Sequence, residues 1–219
     1  MSDAPPAAGR NVVHVVDDDQ ALRNAVGRLL RHAGYEPRLY ASAEEYLAAP
    51  ELAAPACVLI DLRMPGCSGL SLQEALSKRG NAHPVIFLTG HGDIRSTVQA
   101  MLGGAIDFLT KPVKAEQLLP AIALAIEKDL ERRSRREYLA GVRARYETLT
   151  PRERQVMSGV IVGLLNKQIG YVLHSAERTV KTHRSRVMEK MQAHSVPELV
   201  RFAEELREAG IAIQEFPRP

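Results

Sequence analysis

The chain has 219 residues, 45% of them hydrophobic and 25% charged, with a net charge of +3 and no tryptophan. That length supports two small domains with a core each, and the composition excludes a globally disordered chain. No apolar run approaches the ~20 residues that cross a bilayer. MSDAPPAAGR places Asp and Pro where a secretory leader needs an apolar stretch, so a cytoplasmic protein that does not engage membranes is expected.

Cys57 and Cys67 are the only cysteines, which suits a reducing compartment better than a disulfide framework. Cys57 lies within ACVLI and reads as a small buried hydrophobe, and Cys67 falls in a Gly-flanked loop. Charge is divided unevenly. Residues 1–127 hold 11 Lys and Arg against 14 Asp and Glu, net −3, and the remainder holds 18 against 12, net +6. An acidic first half suits a cation or a cationic partner, and a basic second half suits an anionic polymer.

In chain order, residues 1–10 read as a flexible N-terminus. NVVHVV (11–16), EPRLY (36–40), ACVLI (56–60), PVIFL (84–88) and AIDFL (105–109) then read as strands. The continuous apolar character of the first, third and fourth indicates burial on both faces, as in a parallel sheet. Helical spacing runs from Gln20 to His32, Ser42 to Ala49, Ser68 to Lys78, Asp93 to Met101, and onward from near Lys114. Gly34 stops the first of these, and Ser42 with Glu45 forms a capping box for the second. Five βα units imply an α/β fold, a five-stranded doubly wound parallel sheet spanning residues 11–127. A long charged helix, residues 128–146, leaves this domain and becomes an exposed linker before Leu149.

Ligands of such a sheet bind at the carboxyl ends of its strands. Asp17 and Asp18 follow the first strand, Asp61 the third, Thr89 the fourth and Lys111 the fifth. Asp18 or Asp19 is also suited to cap the helix that starts near Gln20. Clustered carboxylates without His or Cys favour a hard divalent cation, Mg²⁺ or Mn²⁺. A lysine and a threonine opposite them supply contacts for a phosphoryl group, with Asp61 as the nucleophile.

In order and spacing, VVDDD, DLRMPGCSGL, FLTGHGD and DFLTKP resemble the receiver domain of two-component response regulators. That resemblance covers about residues 10–127 and implies a flavodoxin-like receiver. It implies that Asp61 is the phosphoacceptor, and that Asp17, Asp18, Asp61 and the backbone carbonyl of Arg63 hold the metal. It further implies that Lys111 pairs with the phosphoryl group, that Thr89 moves onto it, that Phe108 changes rotamer in concert, and that the Lys111–Pro112 peptide is cis.

Thr150-Pro151-Arg152-Glu153 announces a new helix with a cap, a first-turn proline and a returning carboxylate. Helices are expected over about 151–163, 166–173, 177–191 and 196–208, an all-α unit spanning 147–210. The Pro-rich ends APPAAG and FPRP read as frayed tails, the second within a C-terminal tail of residues 211–219. The helix after the turn carries Arg178, Lys181, Arg184, Arg186 and Lys190, backed by Val180, Val187, Met188 and Met191. The basic groups suit phosphates, and Lys181, Thr182 and Ser185 face outward toward base edges. LTPRERQVM, GLLNKQI, RTVKTHRSRVMEKM and SVPELVRFA resemble the LuxR-type DNA-binding domain over about 147–208. With that resemblance, the expected DNA-contacting set is Asn166, Lys167, Arg178, Thr179, Lys181, Thr182, Arg184, Ser185 and Arg186. The chain departs from the family at Ser175-Ala176, where Ile-Ser is common, and at Gly170, which replaces Ala and weakens its helix by about 1 kcal/mol.

The resulting expectation is a transcriptional response regulator of the NarL/FixJ type. It is a phosphoacceptor switch rather than an enzyme, phosphorylated by a sensor histidine kinase, binding promoter DNA as a phosphorylation-promoted homodimer, with RNA polymerase a further partner. Two other readings are an Mg²⁺-dependent phosphohydrolase and a constitutive DNA-binding protein with a vestigial receiver. Retention of one phosphoryl group, rather than repeated release, separates the switch from the first. Operator affinity that responds to a phosphodonor separates it from the second.

Overall fold

The computed structural model describes residues 11–50, 54–79, 83–90 and 94–217; the expected flexible N-terminus lies outside them. The chain divides into two compact units between Arg132 and Arg133.

Strands β1 (Val12–Val16), β2 (Glu36–Tyr40), β3 (Ala56–Asp61), β4 (Val85–Thr89) and β5 (Asp107–Thr110) form one parallel sheet in the order β2-β1-β3-β4-β5. They alternate with α1 (Gln20–His32), α2 (Ala43–Ala48), α3 (Gly69–Lys78) and α4 (Ile94–Leu102), and α5 (Ala115–Glu147) follows. Every residue of β1, β3 and β4 is buried, because successive side chains alternate between two covered faces. Val13, Val15, Leu59 and Leu88 pack on one face with Val26, Leu30, Leu118 and Ile122 of α1 and α5. Val58, Ile60 and Phe87 pack on the other with Tyr46, Leu72, Leu76 and Ala100 of α2, α3 and α4. The doubly wound sheet is therefore present as expected. The fifth strand starts two residues later than its apolar run, since the Ala105 amide closes the end of α4 on Ala100 O at 3.1 Å.

A histidine sits inside the sheet, on β1. His14 is 3% exposed; its Nδ1 lies 3.0 Å from the Tyr40 hydroxyl, and its ring stacks on His83 with centroids 5.5 Å apart. Burial, followed by the charges of His83 and Arg38, lowers its pKa from 6.5 to about 4. Above pH 6.5 His14 is neutral in both folded and unfolded chains and costs nothing. Between pH 6.5 and 4 the unfolded chain takes up the proton first, so stability falls as pH falls, by about 3 kcal/mol at the acid end. Urea unfolding of the first unit, followed by circular dichroism, will lose about that much more stability between pH 7 and pH 4 in the wild type than in His14→Phe.

In the second unit, α6 (Pro151–Ile161), α7 (Asn166–Val172), α8 (Glu177–Met191) and α9 (Val196–Glu208) follow the end of α5. Thr150 and Glu153 complete the expected capping box of α6, at 3.3 Å from Glu153 N to Thr150 Oγ1 and 2.9 Å from Thr150 N to Glu153 Oε2. Two sequence expectations need correction. The stretch 128–146 is helical, but it is not exposed throughout. Within the first unit, Asp129 is buried and accepts from Ala56 N at 3.0 Å. Within the second, Val142 and Tyr146 are buried beside Leu149, Val156, Val187 and Phe202. Residues 211–217 do not fray either. Ile211, Ile213 and Phe216 pack against the same core, and Gln214 N donates to the Tyr146 hydroxyl at 3.0 Å.

Candidate phosphoacceptor centre and nucleic-acid interface

The strand order reverses beside β1, so the carboxyl ends of β1 and β3 flank the crevice where ligands of open sheets bind. Asp17 and Asp18 leave β1 there, and Asp61 is the last residue of β3. One carboxylate oxygen from each lies within 4.8 Å of the other two; Asp17 and Asp61 are buried and Asp18 is exposed. Asp19, the third of the run, does the capping: its Oδ1 accepts from Ala21 N at 2.8 Å and Leu22 N at 3.1 Å. Its own amide donates to Asp17 Oδ1 at 2.9 Å, which fixes the neighbouring carboxylate.

Lys111, just past β5, bridges two of the three acids. Its Nζ lies 2.7 Å from Asp17 Oδ2 and 3.1 Å from Asp61 Oδ2. Burial pushes the Asp61 carboxyl above the usual range and the Asp17 charge adds to that, while Lys111 and the Arg63 amide pull the other way. Burial alone would lower the Lys111 pKa, but the two carboxylates together outweigh it and hold the ammonium protonated above its ordinary value. Three carboxylates and one ammonium leave a formal charge of −2. The all-oxygen donor set and that charge fit a hard divalent cation such as Mg²⁺.

Thr89 is the last residue of β4 and is 1% exposed. Phe108 is half-buried on β5, its ring centroid 6.4 Å from that of Phe87. The Lys111–Pro112 peptide is cis, as the resemblance implied. Two residues of this centre escaped the sequence reading. Arg23 Nη1 donates to the Asp17 carbonyl at 2.5 Å and ties the acidic loop to α1; its place one turn after the cap was the available signal. Gly69 opens α3, where a Cβ would lie 2.4 Å from the Asp61 carbonyl and 3.0 Å from Ile60 and Phe87 side-chain carbons. A backbone oxygen cannot yield as a flexible side chain can. Gly69→Ala will therefore destabilise the first unit by about 1–3 kcal/mol, measured by urea unfolding.

In the second unit, Val180, Val187 and Met191 of α8 are buried and Met188 packs against the same core. Arg178, Thr179, Lys181, Thr182, Ser185 and Arg186 are exposed on the rest of the helix. Lys167, near the start of α7, is exposed as well, and Asn166 accepts from Arg184 Nη1 at 3.2 Å, joining α7 to α8. Lys190 is the exception among the basic residues. Its ammonium is engaged by Glu153 Oε2 at 2.7 Å and the Thr148 carbonyl at 3.2 Å, so it faces α6 instead of an external phosphate. Gly170 also differs from its sequence reading: a Cβ there would meet the Ser175 carbonyl at 2.6 Å, so the tight turn requires the glycine that helix propensity counts against.

A carboxylate and lysine centre at the mouth of a parallel sheet, followed by a basic helix-turn-helix unit, defines a class: regulators that join a receiver domain to a DNA-binding domain. Residues 13–123 match the family model of the response regulator receiver domain, and residues 147–203 match that of the luxR family of bacterial regulatory proteins. The chain is 43% identical over 200 residues to nodulation protein W of Bradyrhizobium diazoefficiens, covering 91% of this chain and 88% of that protein. It is 41% identical over 192 residues to the transcriptional regulatory protein FixJ of the same organism, covering 87% and 93%. Among solved structures, the response regulator StyR superposes with a TM-score of 0.80 at 41% identity, covering 90% of this chain and all of that one. The chain belongs to the two-component response regulators that carry a LuxR-type DNA-binding domain, and its role is transcription regulation. Among the described residues no helix is long and apolar enough to cross a membrane.

Proposed function

We propose that Asp61 accepts a phosphoryl group from the phosphohistidine of a sensor kinase and thereby switches the second unit toward promoter DNA. The observation that carries this reading is the meeting of Asp17, Asp18 and Asp61 within 4.8 Å, with the Lys111 ammonium on two of them. An Asp61 carboxylate oxygen attacks phosphorus, the P–N bond to the kinase imidazole breaks, and an acyl phosphate forms. Asp17, Asp18, Asp61 and the backbone carbonyl of Arg63 would hold Mg²⁺ or Mn²⁺. When bound, the ion neutralises charge on the incoming phosphoryl oxygens. Lys111 exchanges a carboxylate contact for a phosphoryl oxygen. Thr89 donates its hydroxyl to another, and Phe108 follows into the space that Thr89 leaves. These contacts exist only with the phosphoryl group present, so they bias the receiver toward one member of a two-state equilibrium.

The active form binds promoter DNA as a homodimer and acts in the cytoplasm. Arg178, Arg184 and Arg186 neutralise phosphates with Asn166, Lys167 and Thr179 beside them, and Lys181, Thr182 and Ser185 reach base edges. Val162, Leu165 and Tyr171 are exposed at and after the end of α6, at 60, 68 and 81%, and give RNA polymerase an apolar surface to engage.

Incubation with acetyl phosphate and Mg²⁺ will add one phosphoryl group per chain, read as a mass increase by intact-protein mass spectrometry. Asp61→Asn and chelation of the metal will each abolish the adduct. Equal labelling of Asp61→Asn would overturn the assignment, and continuous release of many phosphates per chain would favour a phosphohydrolase. On DNA, Arg186→Ala will weaken binding to all sequences and reduce the salt slope by about 1, whereas Lys181→Ala will cost about 1–3 kcal/mol and relax base preference at one position. Fluorescence anisotropy across a salt series distinguishes the two.

A further inference from the structure

Two consecutive residues in the first turn of α6 reach the two ends of α8. Arg152 Nη2 donates to the Leu173 carbonyl at 2.5 Å and to Ser175 Oγ, and its Nη1 donates to Gln155 Oε1 at 2.9 Å. Leu173 to Ser175 is the turn that enters α8. Glu153 Oε2 accepts from Lys190 Nζ, in the last turn of α8, at 2.7 Å. Glu153 is nearly fully buried and Lys190 about one-third exposed, so this pair is partly desolvated and geometrically held.

The turn is closed on α7 by Ser175 N donating to the Gly170 carbonyl at 2.9 Å and His174 N to the Tyr171 carbonyl at 3.3 Å, but no side chain caps the start of α8. His174 adopts φ 49°, which is uncommon for a residue with a Cβ. Ala176 occupies the N-cap of α8 and offers no side-chain oxygen to the free amides of its first turn. Ser175, one position earlier, carries the hydroxyl, which accepts from Arg152 and donates to the Leu173 carbonyl at 3.4 Å rather than capping the helix. A guanidinium holds a carbonyl and a hydroxyl simultaneously because its donors lie in a rigid fork, a geometry that lysine cannot reproduce.

We propose that Arg152 and Glu153 are positioning residues for DNA recognition. Arg152 fixes the entry of α8 in place of the missing cap, Glu153 fixes its exit through Lys190, and together they set the register at which the helix meets a duplex. The inference rests on the DNA-binding reading of the second unit. It also explains why the departure at Ser175-Ala176 is tolerated, since the restraint comes from α6 rather than from the helix itself.

The test uses the full-length chain as wild type, Arg152→Lys and Ser175→Ala, each with and without Ala176→Ser, which returns a capping hydroxyl to α8. Amide hydrogen exchange is followed by mass spectrometry. Affinity is measured on a duplex enriched from a random-sequence pool by the wild-type chain in acetyl phosphate and Mg²⁺. In Arg152→Lys and Ser175→Ala, exchange over residues 174–181 rises about tenfold while α9 stays unchanged, and affinity falls by about tenfold. Adding Ala176→Ser restores both. Unchanged exchange at the turn, an equal rise across α6, α8 and α9 that marks general loss of stability, or failure of Ala176→Ser to restore either quantity overturns the clamp. Should exchange respond as stated while the wild-type chain enriches no duplex, the clamp stands and the DNA-binding reading falls.

Discussion

The contact on which the receiver centre depends is the Lys111 ammonium between Asp17 and Asp61. Two carboxylates brought within 4.8 Å repel by about 3 kcal/mol at an effective dielectric constant of about 20. An ammonium about 3 Å from each attracts by about 5 kcal/mol apiece on the same scale, so the attractions exceed the repulsion and the acids can share one mouth. The exposed Asp18 carboxylate restores negative charge at the open side. Burial still opposes ionisation of Asp61, and the net negative charge of the cluster favours a cation at the open side.

Holding that geometry falls to backbone rather than to chemistry. Asp17 is fixed by the Asp19 amide on its side chain and by Arg23 on its carbonyl. Asp61 is fixed by the ladder of β3 and by α3 arriving at Gly69 without a side chain in the way. Lys111 is delivered by β5, whose pairing with β4 is extended by Lys111 N donating to Thr89 O at 2.6 Å. Each functional group is therefore held by hydrogen bonds at or beside the end of the strand that carries it.

The second unit meets a different constraint. Roughly 60 residues of four short helices bury too little apolar surface to be comfortable alone. Val142 and Tyr146 from α5 and Ile211, Ile213 and Phe216 from beyond α9 enlarge its core from both ends. Phe216 in particular packs where a Cβ on Gly159 would lie 2.8 Å from its ring. The same economy applies to α8, whose outward face is given over to exposed basic and polar groups while its inner face packs in the core and its side chains are held from both α6 and α7.

What the sequence determined by itself followed from short-range physics. Apolar runs of strand length, caps such as Thr150 with Glu153, and glycines at stops placed nearly every element. Strand-end logic then gathers Asp17, Asp18, Asp61, Thr89 and Lys111 at one mouth. Tertiary structure decided what depends on contact across the chain. It gave Asp19 the cap and left Asp17 and Asp18 to the centre, turned Lys190 inward to Glu153, and made Gly69 and Gly170 necessary by bringing carbonyl oxygens to where a Cβ would stand. It also drew Val142 and Tyr146 of the charged stretch before Leu149, and Phe216 of the C-terminal tail, against a core. Local pattern reports which residues prefer burial, but the partner that buries them is chosen only when distant segments pack.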